Sequence, residues 1–285
     1  MQLTDWFSQA IQHRPKIYRL STNTITITAF TWGSPTTPPV VLLHGGFANS
    51  TWYAHLAPHL AKRHFVIALD FSGHGQSDWR SHYTLADFFT ELHTLYTRFS
   101  LTTATLIGHS FGARIAYHYT SLYPHHVSTL VLLDPPNIFH SSYAKTQPKT
   151  ALRPQYIYPS ATEILRRFRL IPTQPIVHPF IIDFIAKHAI VQTKKGYQWR
   201  TDLNLFNKLQ HSDIKPPTTN ISDTIPIILI TGQHSTICPP TVASSFQIHH
   251  PSIQYSALPN AYHALMLDQP QALLRHLQTI CNART

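Results

Sequence analysis

Gly108-His109-Ser110-Phe111-Gly112 sets a serine between two glycines directly after the apolar run Ala104 to Ile107. A serine hydroxyl becomes a usable nucleophile when a sharp strand-to-helix turn lifts it clear of the sheet, and such a turn needs small neighbours where the chain doubles back. The helix that must follow is there as a pattern: Phe111 to Ser121 has few helix breakers, and Pro124 stops it. A second segment, Val40-Val41-Leu42-Leu43, reads as a buried strand running into His44-Gly45-Gly46-Phe47. A turn of this kind offers a backbone N–H to the oxyanion that develops in acyl transfer, with Gly46 the first choice of donor and Phe47 the second. The other donor is the N–H of Phe111, the residue after the nucleophile. Near the C-terminus, the alternating segment Ser252 to Leu258 precedes Asn260-Ala261-Tyr262-His263, which puts His263 on the loop after a late strand as general base.

Stepping outward, the elements that must hold these residues are strands near Thr24 to Phe30, Val40 to Leu43, Phe65 to Leu69, Ala104 to Ile107, Val127 to Leu133, Pro226 to Thr231 and Ser252 to Leu258. A short amphipathic segment comes first, and helical segments separate most of the strands. That alternation predicts an α/β fold with a mainly parallel sheet covered on both faces, and ligands bind beyond the carboxyl ends of such strands. Ser110, Gly46 and His263 all follow strands, so they can meet at one edge. Between Asn137 and Ser222 the alternation gives way to prolines, aromatics and basic residues. There Ser160-Ala161-Thr162-Glu163 has the form of a capping box, predicting a helix to Leu170 stopped by Pro172. Pro179 to Ile190 carries Phe180, Ile181, Phe184, Ile185 and His188 at helical spacing, a stripe better suited to docking on the body than to touching substrate.

The chain resembles the α/β-hydrolase family. The matching pieces are His44-Gly45-Gly46, Asp70-Phe71-Ser72-Gly73-His74-Gly75-Gln76-Ser77-Asp78, the serine turn, Leu130-Val131-Leu132-Leu133-Asp134-Pro135 and His263-Ala264-Leu265-Met266-Leu267-Asp268-Gln269-Pro270. They stand in the family's order across roughly residues 20–136 and 223–282. The resemblance, to a capped serine esterase or lipase-like member, implies a doubly wound, mainly parallel sheet with a helical cap inserted after the sixth strand. The core would be residues 1–136 and 223–285 and the cap or lid residues 137–222. His44, His74 and His109 fall inside motifs where the family pattern makes them packing or turn residues.

The acid is where the sequence departs from that pattern. A carboxylate normally follows the strand before the histidine strand as Gly-x-x-Asp, holding the imidazole in its productive tautomer. Here Ile230-Thr231-Gly232-Gln233-His234-Ser235 puts Ser235 there, and a hydroxyl carries no negative charge. The best substitute is Asp134, at the end of a strand that the fold places beside the nucleophile strand at about 4.8 Å; some members of the family take the acid from this strand. Asp223 precedes a strand whose six residues leave it roughly 20 Å from the active edge. Asp70 and Asp268 read as structural.

With 285 residues and 43% hydrophobic content the chain suits one large domain with an insertion. No apolar stretch reaches the roughly 18 residues of a membrane span, and the N-terminus does not read as a signal peptide. With only Cys238 and Cys281 and neither a disulfide framework nor a leader, a cytoplasmic protein is expected. The excess of basic residues is concentrated in 137–222, with twelve Lys and Arg against four Asp and Glu. Such a lid could draw in an anionic substrate or make weak contact with a membrane surface, but the absence of long like-charge blocks favours a solvated face. No nucleic-acid module is visible, no His, Asp or Glu pair has metal-ligand spacing, and no cofactor is expected. The expected partner is a small ester or thioester, and the chain is expected to be a monomer or homodimer. The expected activity is that of a serine hydrolase cleaving a carboxylic ester or thioester through an acyl-enzyme on Ser110. A carbon–carbon bond hydrolase of the same fold and a low-turnover ligand-binding member stay open as alternatives. Serine at position 110 speaks against dehalogenases and epoxide hydrolases, which use a carboxylate nucleophile, and Ala264 stands where carbon–carbon hydrolases commonly carry Trp.

Overall fold

The computed structural model describes residues 2–139, 155–209 and 221–283. Lys145, Lys149, Arg153, Asp213 and Lys215, counted above in the basic segment, lie outside the described residues. The strands are β1 (Lys16–Ser21), β2 (Thr26–Trp32), β3 (Pro39–Leu43), β4 (Phe65–Asp70), β5 (Ala104–His109), β6 (Val127–Leu133), β7 (Ile190–Thr193), β8 (Gly196–Trp199), β9 (Ile227–Gly232) and β10 (Gln254–Leu258). Eight of them form one sheet in the order β1-β2-β4-β3-β5-β6-β9-β10. Pairing is antiparallel between β1 and β2 and between β2 and β4, and parallel everywhere else in that sheet. This is the expected doubly wound α/β arrangement.

The longer helices are α1 (Leu3–Gln12), α2 (Leu85–Arg98), α3 (Phe111–Leu122), α4 (Pro179–His188), α5 (Pro240–His249) and α6 (Pro270–Asn282). Among the described residues, no helix is long and apolar enough to cross a membrane. β4 is buried from end to end, and β3 from Val40 to Leu43, because both faces of the sheet are covered. Val41 and Leu43 pack into one core cluster while Val40 and Leu42, on the opposite face of the same strand, pack into the other. Helix α3, which follows Ser110, is buried from Phe111 to Thr120.

Three local expectations need correction. The first strand runs Thr26–Trp32 instead of beginning near Thr24, and it is preceded by β1, which the sequence reading did not include. β1 is an edge strand in which only Leu20 is buried, so its own pattern is weak and backbone pairing to β2 makes it a strand. The helix opened by Ser160 stops at Leu165, not Leu170. The Ser160 hydroxyl does accept from the Glu163 N–H at 3.2 Å. With Ile164 as the only buried residue of the turn, however, there is too little apolar contact to hold further turns of a short helix.

Because β6 and β9 are neighbours in the sheet, the chain between them must leave it and return. That excursion is not wholly helical: besides the Ala161–Leu165 turn and α4 it holds the antiparallel hairpin β7-β8. α4 ends at His188, before Ile190, and its stripe faces the body: Ile181 and Ile185 are buried, and Phe180 and Phe184 meet Phe7 of α1 edge-on at 5.3 and 5.5 Å.

Candidate active site

β5 hands the chain to α3 through Ser110, whose φ of 52° and ψ of −114° lie in a region that non-glycine residues seldom adopt. The turn is held by the Ser110 N–H, which donates to the Leu133 carbonyl on the neighbouring strand at 2.9 Å. It also requires bare glycine backbone nearby: a Cβ on Gly112 would lie 2.5 Å from the carbonyl oxygens of both Leu43 and His44. The elbow is thus pressed against the end of β3, and the turn that follows β3 is brought close to Ser110.

β6 lies directly beside β5, with His109 in register with Leu133. The next residue, Asp134, also has a left-handed backbone (φ 46°), and its N–H donates to the Ile230 carbonyl of β9 at 2.8 Å. Its carboxylate is fully buried. Asp134 Oδ1 accepts from the Gly232 N–H at 2.9 Å, while Oδ2 accepts from the His263 Nδ1–H at 2.6 Å and from the Ser235 hydroxyl at 2.5 Å. His263 Nε2 in turn accepts from the Ser110 hydroxyl at 2.9 Å. Ser110, His263 and Asp134 therefore form one continuous hydrogen-bonded chain. Ser235, at the position where the family pattern has its acid, touches that chain as a donor to the carboxylate; its oxygen also accepts from the N–H groups of Ile237 and Cys238 at 3.1 and 3.2 Å.

The loop carrying His263 is pinned on three sides. The His263 carbonyl accepts from His109 Nε2–H at 2.9 Å. Burial, reinforced by the neighbouring His263, pushes the affinity of His109 for a second proton well below the ordinary histidine value, which suits a neutral ring donating one hydrogen bond. Asp268 accepts from the Tyr262 N–H at 2.8 Å, and Gln174 links the Asp268 carboxylate to the Ala264 N–H, bonding them at 2.9 and 3.0 Å respectively. Burial raises the Asp268 pKa to about 6. Gln174 comes from the excursion between β6 and β9 and carried no sequence signal, since nothing in its neighbourhood has a period or motif.

On the other side of Ser110 lies the His44–Phe47 turn. A Cβ on Gly45 would fall 3.2 Å from Ser110 Cβ, which shows how closely the two turns meet. His44 and His74 brace it from beneath: His44 Nε2 accepts from the Phe71 N–H at 3.1 Å, and His74 Nε2 accepts from the Phe47 N–H at 3.2 Å. Both rings are buried, and burial lowers their affinity for a second proton. The bond to His74 occupies the N–H of Phe47, the second choice of oxyanion donor. Among the described residues, nothing accepts from the N–H of Gly46 or of Phe111.

Above that turn sits Phe206, which the sequence reading did not single out. Its ring lies edge-on to Phe47 at 5.0 Å and to Phe111 at 5.3 Å, and a Cβ on Gly46 would fall 2.5 Å from its Cζ. Of the other aspartates, Asp70 is consumed by Ser50 and the Gln76 N–H, and Asp223 influences His250. Cys238 and Cys281 are free and buried. Among the described residues, no group of three or more His, Cys, Asp or Glu could hold a metal ion.

A family model described as the alpha/beta hydrolase fold matches residues 38–164. A serine hydrolase-like protein of Mus musculus is 36% identical over 117 residues, covering 39% of this chain and 37% of that one. A serine hydrolase-like protein of Homo sapiens is 34% identical over 116 residues, covering 39% of this chain and 56% of that protein. The matches thus span between about a third and somewhat over half of those relatives' lengths. Among solved structures, an E-2-(acetamidomethylene)succinate hydrolase superposes with a TM-score of 0.78 at 19% identity, covering 93% of this chain and 98% of the other. An esterase from Mycobacterium tuberculosis gives 0.77 at 19% identity with 99% of each chain covered. The thioesterase domain of a curacin biosynthetic pathway gives 0.75 at 20% identity, covering 92% and 99%. At such identities these likenesses speak to the fold, and they reproduce it over nearly the whole chain. Together with the strand order and the family model, they show that the chain has the α/β-hydrolase fold.

Proposed function

We propose that the protein is a serine hydrolase that cleaves a carboxylic ester or thioester through an acyl-enzyme on Ser110. The observation that carries the reading is the unbroken chain from the Ser110 hydroxyl through His263 to the buried Asp134 carboxylate. As Ser110 Oγ forms its bond to the substrate carbonyl carbon, its proton passes to His263 Nε2, and Asp134 stabilises the imidazolium that results. The carbonyl oxygen becomes an oxyanion that the free N–H groups of Gly46 and Phe111 are positioned to receive, at the start of α3, where the helix dipole also favours negative charge. Collapse breaks the bond to the leaving oxygen or sulfur, which takes the proton from His263. Water then attacks the acyl-enzyme with the same base and releases the acid and Ser110.

In this reading residues 137–222 form a cap over the active edge, and the contact of Gln174 with the His263 loop makes that cap part of the support of the base. The names of the relatives and structural neighbours agree with hydrolysis of acyl compounds. The test is labelling by a fluorophosphonate. The parent protein should take up one equivalent, recovered on the peptide containing Ser110, and should hydrolyse aryl esters. Ser110→Ala should do neither while keeping the parent's circular dichroism. Turnover retained in that variant would overturn the assignment.

A further inference from the structure

The excursion between β6 and β9 places one aromatic side chain, Phe206, against the turns on either side of Ser110, at Phe47 and Phe111, and its placement is fixed on both sides. Before it, the Asp202 N–H donates to the Gly73 carbonyl at 2.8 Å, and Asp202 Oδ2 accepts from the Tyr83 hydroxyl at 2.9 Å and from Lys208 Nζ at 2.7 Å. After it, the Lys208 carbonyl accepts from the Tyr83 N–H at 3.2 Å, and Leu205 and Leu209 are buried in the body's core. Phe206, between these anchors, is held over Gly46, Phe47 and Phe111, and Phe111 packs edge-on against Phe88 of α2 at 5.3 Å. The result is a row of aromatic rings, Phe47, Phe206, Phe111 and Phe88, each edge-on to the next.

The chemistry of the site says which part of a substrate meets that row. His263 must return its proton to the leaving atom, so the leaving group lies on the His263 side of the tetrahedral carbon. The oxyanion points at the N–H groups of Gly46 and Phe111. The remaining substituent, the acyl chain, then departs on the side away from His263, and Phe206 is a side chain of the excursion that packs against the turns carrying the two donors.

We propose that Phe206 is a specificity-determining residue that closes the acyl side of the site and restricts the substrate to esters or thioesters of short acyl groups. This rests on the assignment of Ser110 as nucleophile. A pocket wall of this kind discriminates by about 1–3 kcal/mol for each methylene it admits or refuses, or roughly 10–200-fold in kcat/KM.

The experiment compares the parent with Phe206→Ala, Phe206→Leu and Phe206→Trp on aryl esters of acetate, butyrate and octanoate sharing one leaving group, and on acetates of two leaving groups. In Phe206→Ala the octanoate-to-acetate ratio of kcat/KM should rise by about tenfold or more. Phe206→Leu should give a smaller rise, and Phe206→Trp should lower the butyrate-to-acetate ratio. The ratio between the two leaving groups should stay that of the parent. An unchanged acyl ratio, or a shift confined to the leaving-group series, overturns the proposal. If Phe206→Ala does not fold by circular dichroism, Phe206→Leu and Phe206→Trp decide it by the same criteria. Failure of the parent to label at Ser110 overturns the hydrolase reading and this inference together, whereas labelling with unchanged acyl ratios overturns this one alone.

Discussion

Asp134 and Ser235 touch through a 2.5 Å hydrogen bond, yet they have different relations to His263: one supplies charge to the ring, the other a proton to the charge. Asp134→Asn keeps the shape but removes the negative charge that favours the productive tautomer, and turnover should fall on the order of 10²–10⁴-fold in steady-state ester hydrolysis. Ser235→Ala leaves Asp134 its bonds to His263 and Gly232, so turnover should fall far less. Its main cost should be the lost hydrogen bond to a charged group, about 2 kcal/mol of stability read from urea unfolding. Ser235→Asp in the Asp134→Asn background should recover part of the lost turnover, because the Ser235 oxygen already lies against the carboxylate that faces His263 Nδ1. Reversal of the order of the two single variants would show that the hydroxyl, not the carboxylate, supports the base. At this scale the sequence is informative where backbone geometry constrains residue type. Ser110 between Gly108 and Gly112 is legible because the turn admits few alternatives, and the buried His44, His74 and His109 serve as the turn and packing residues their motifs imply. Phe206 and Gln174 are illegible, because what places them is contact with residues ninety or more positions away or anchors such as Tyr83–Asp202, and no local pattern encodes either.

The central parallel strands are legible as elements because each is a continuous apolar run, and burial on both faces demands such runs. β1 and the β7-β8 hairpin are not, since pairing sustains them with little burial of their own. α4 was readable as a stripe, and its contacts with Phe7 give that stripe a docking role. Ile185→Ala should accordingly cost about 2–5 kcal/mol in chemical denaturation, the usual range for emptying a fully buried aliphatic site, while the folded variant still labels at Ser110. The short turn Leu265–Asp268 offers a pH test. Burial raises the Asp268 pKa from 3.8 to about 6, so between those values the folded state holds more protons than the unfolded chain. Stability from this group is therefore greatest below pH 4 and declines as pH rises towards 6. Asp268→Asn should flatten that slope in urea midpoints measured at stepped pH; a parent-like slope in the variant would show that other groups set it.

For the molecule as a whole, the legible part is mostly the parallel strands of the sheet and their edge, and the illegible part, β1 apart, is mostly the chain that leaves β6 and rejoins at β9, where α4 is the exception. The first is dictated by periodicity, turns and burial, which act over a few residues. The second is assembled from long-range contacts, including hydrogen bonds from Tyr83 to Asp202 and from Gln174 to Asp268. One feature of the edge bears on how the protein responds to heat. Ser110 and Asp134 follow strands that are directly paired, with the Ser110 N–H bonded to Leu133 and the Asp134 N–H to Ile230. Their spacing is therefore set by the interior ladder of the sheet, so softening of peripheral loops on warming leaves it in place. Ser110 and Asp134 should accordingly keep their spacing up to the loss of ellipticity, and if the thermal midpoint of ester hydrolysis falls below that of ellipticity, the gap should trace to the His263 loop and widen in Gln174→Ala, which removes its bond to the Ala264 N–H.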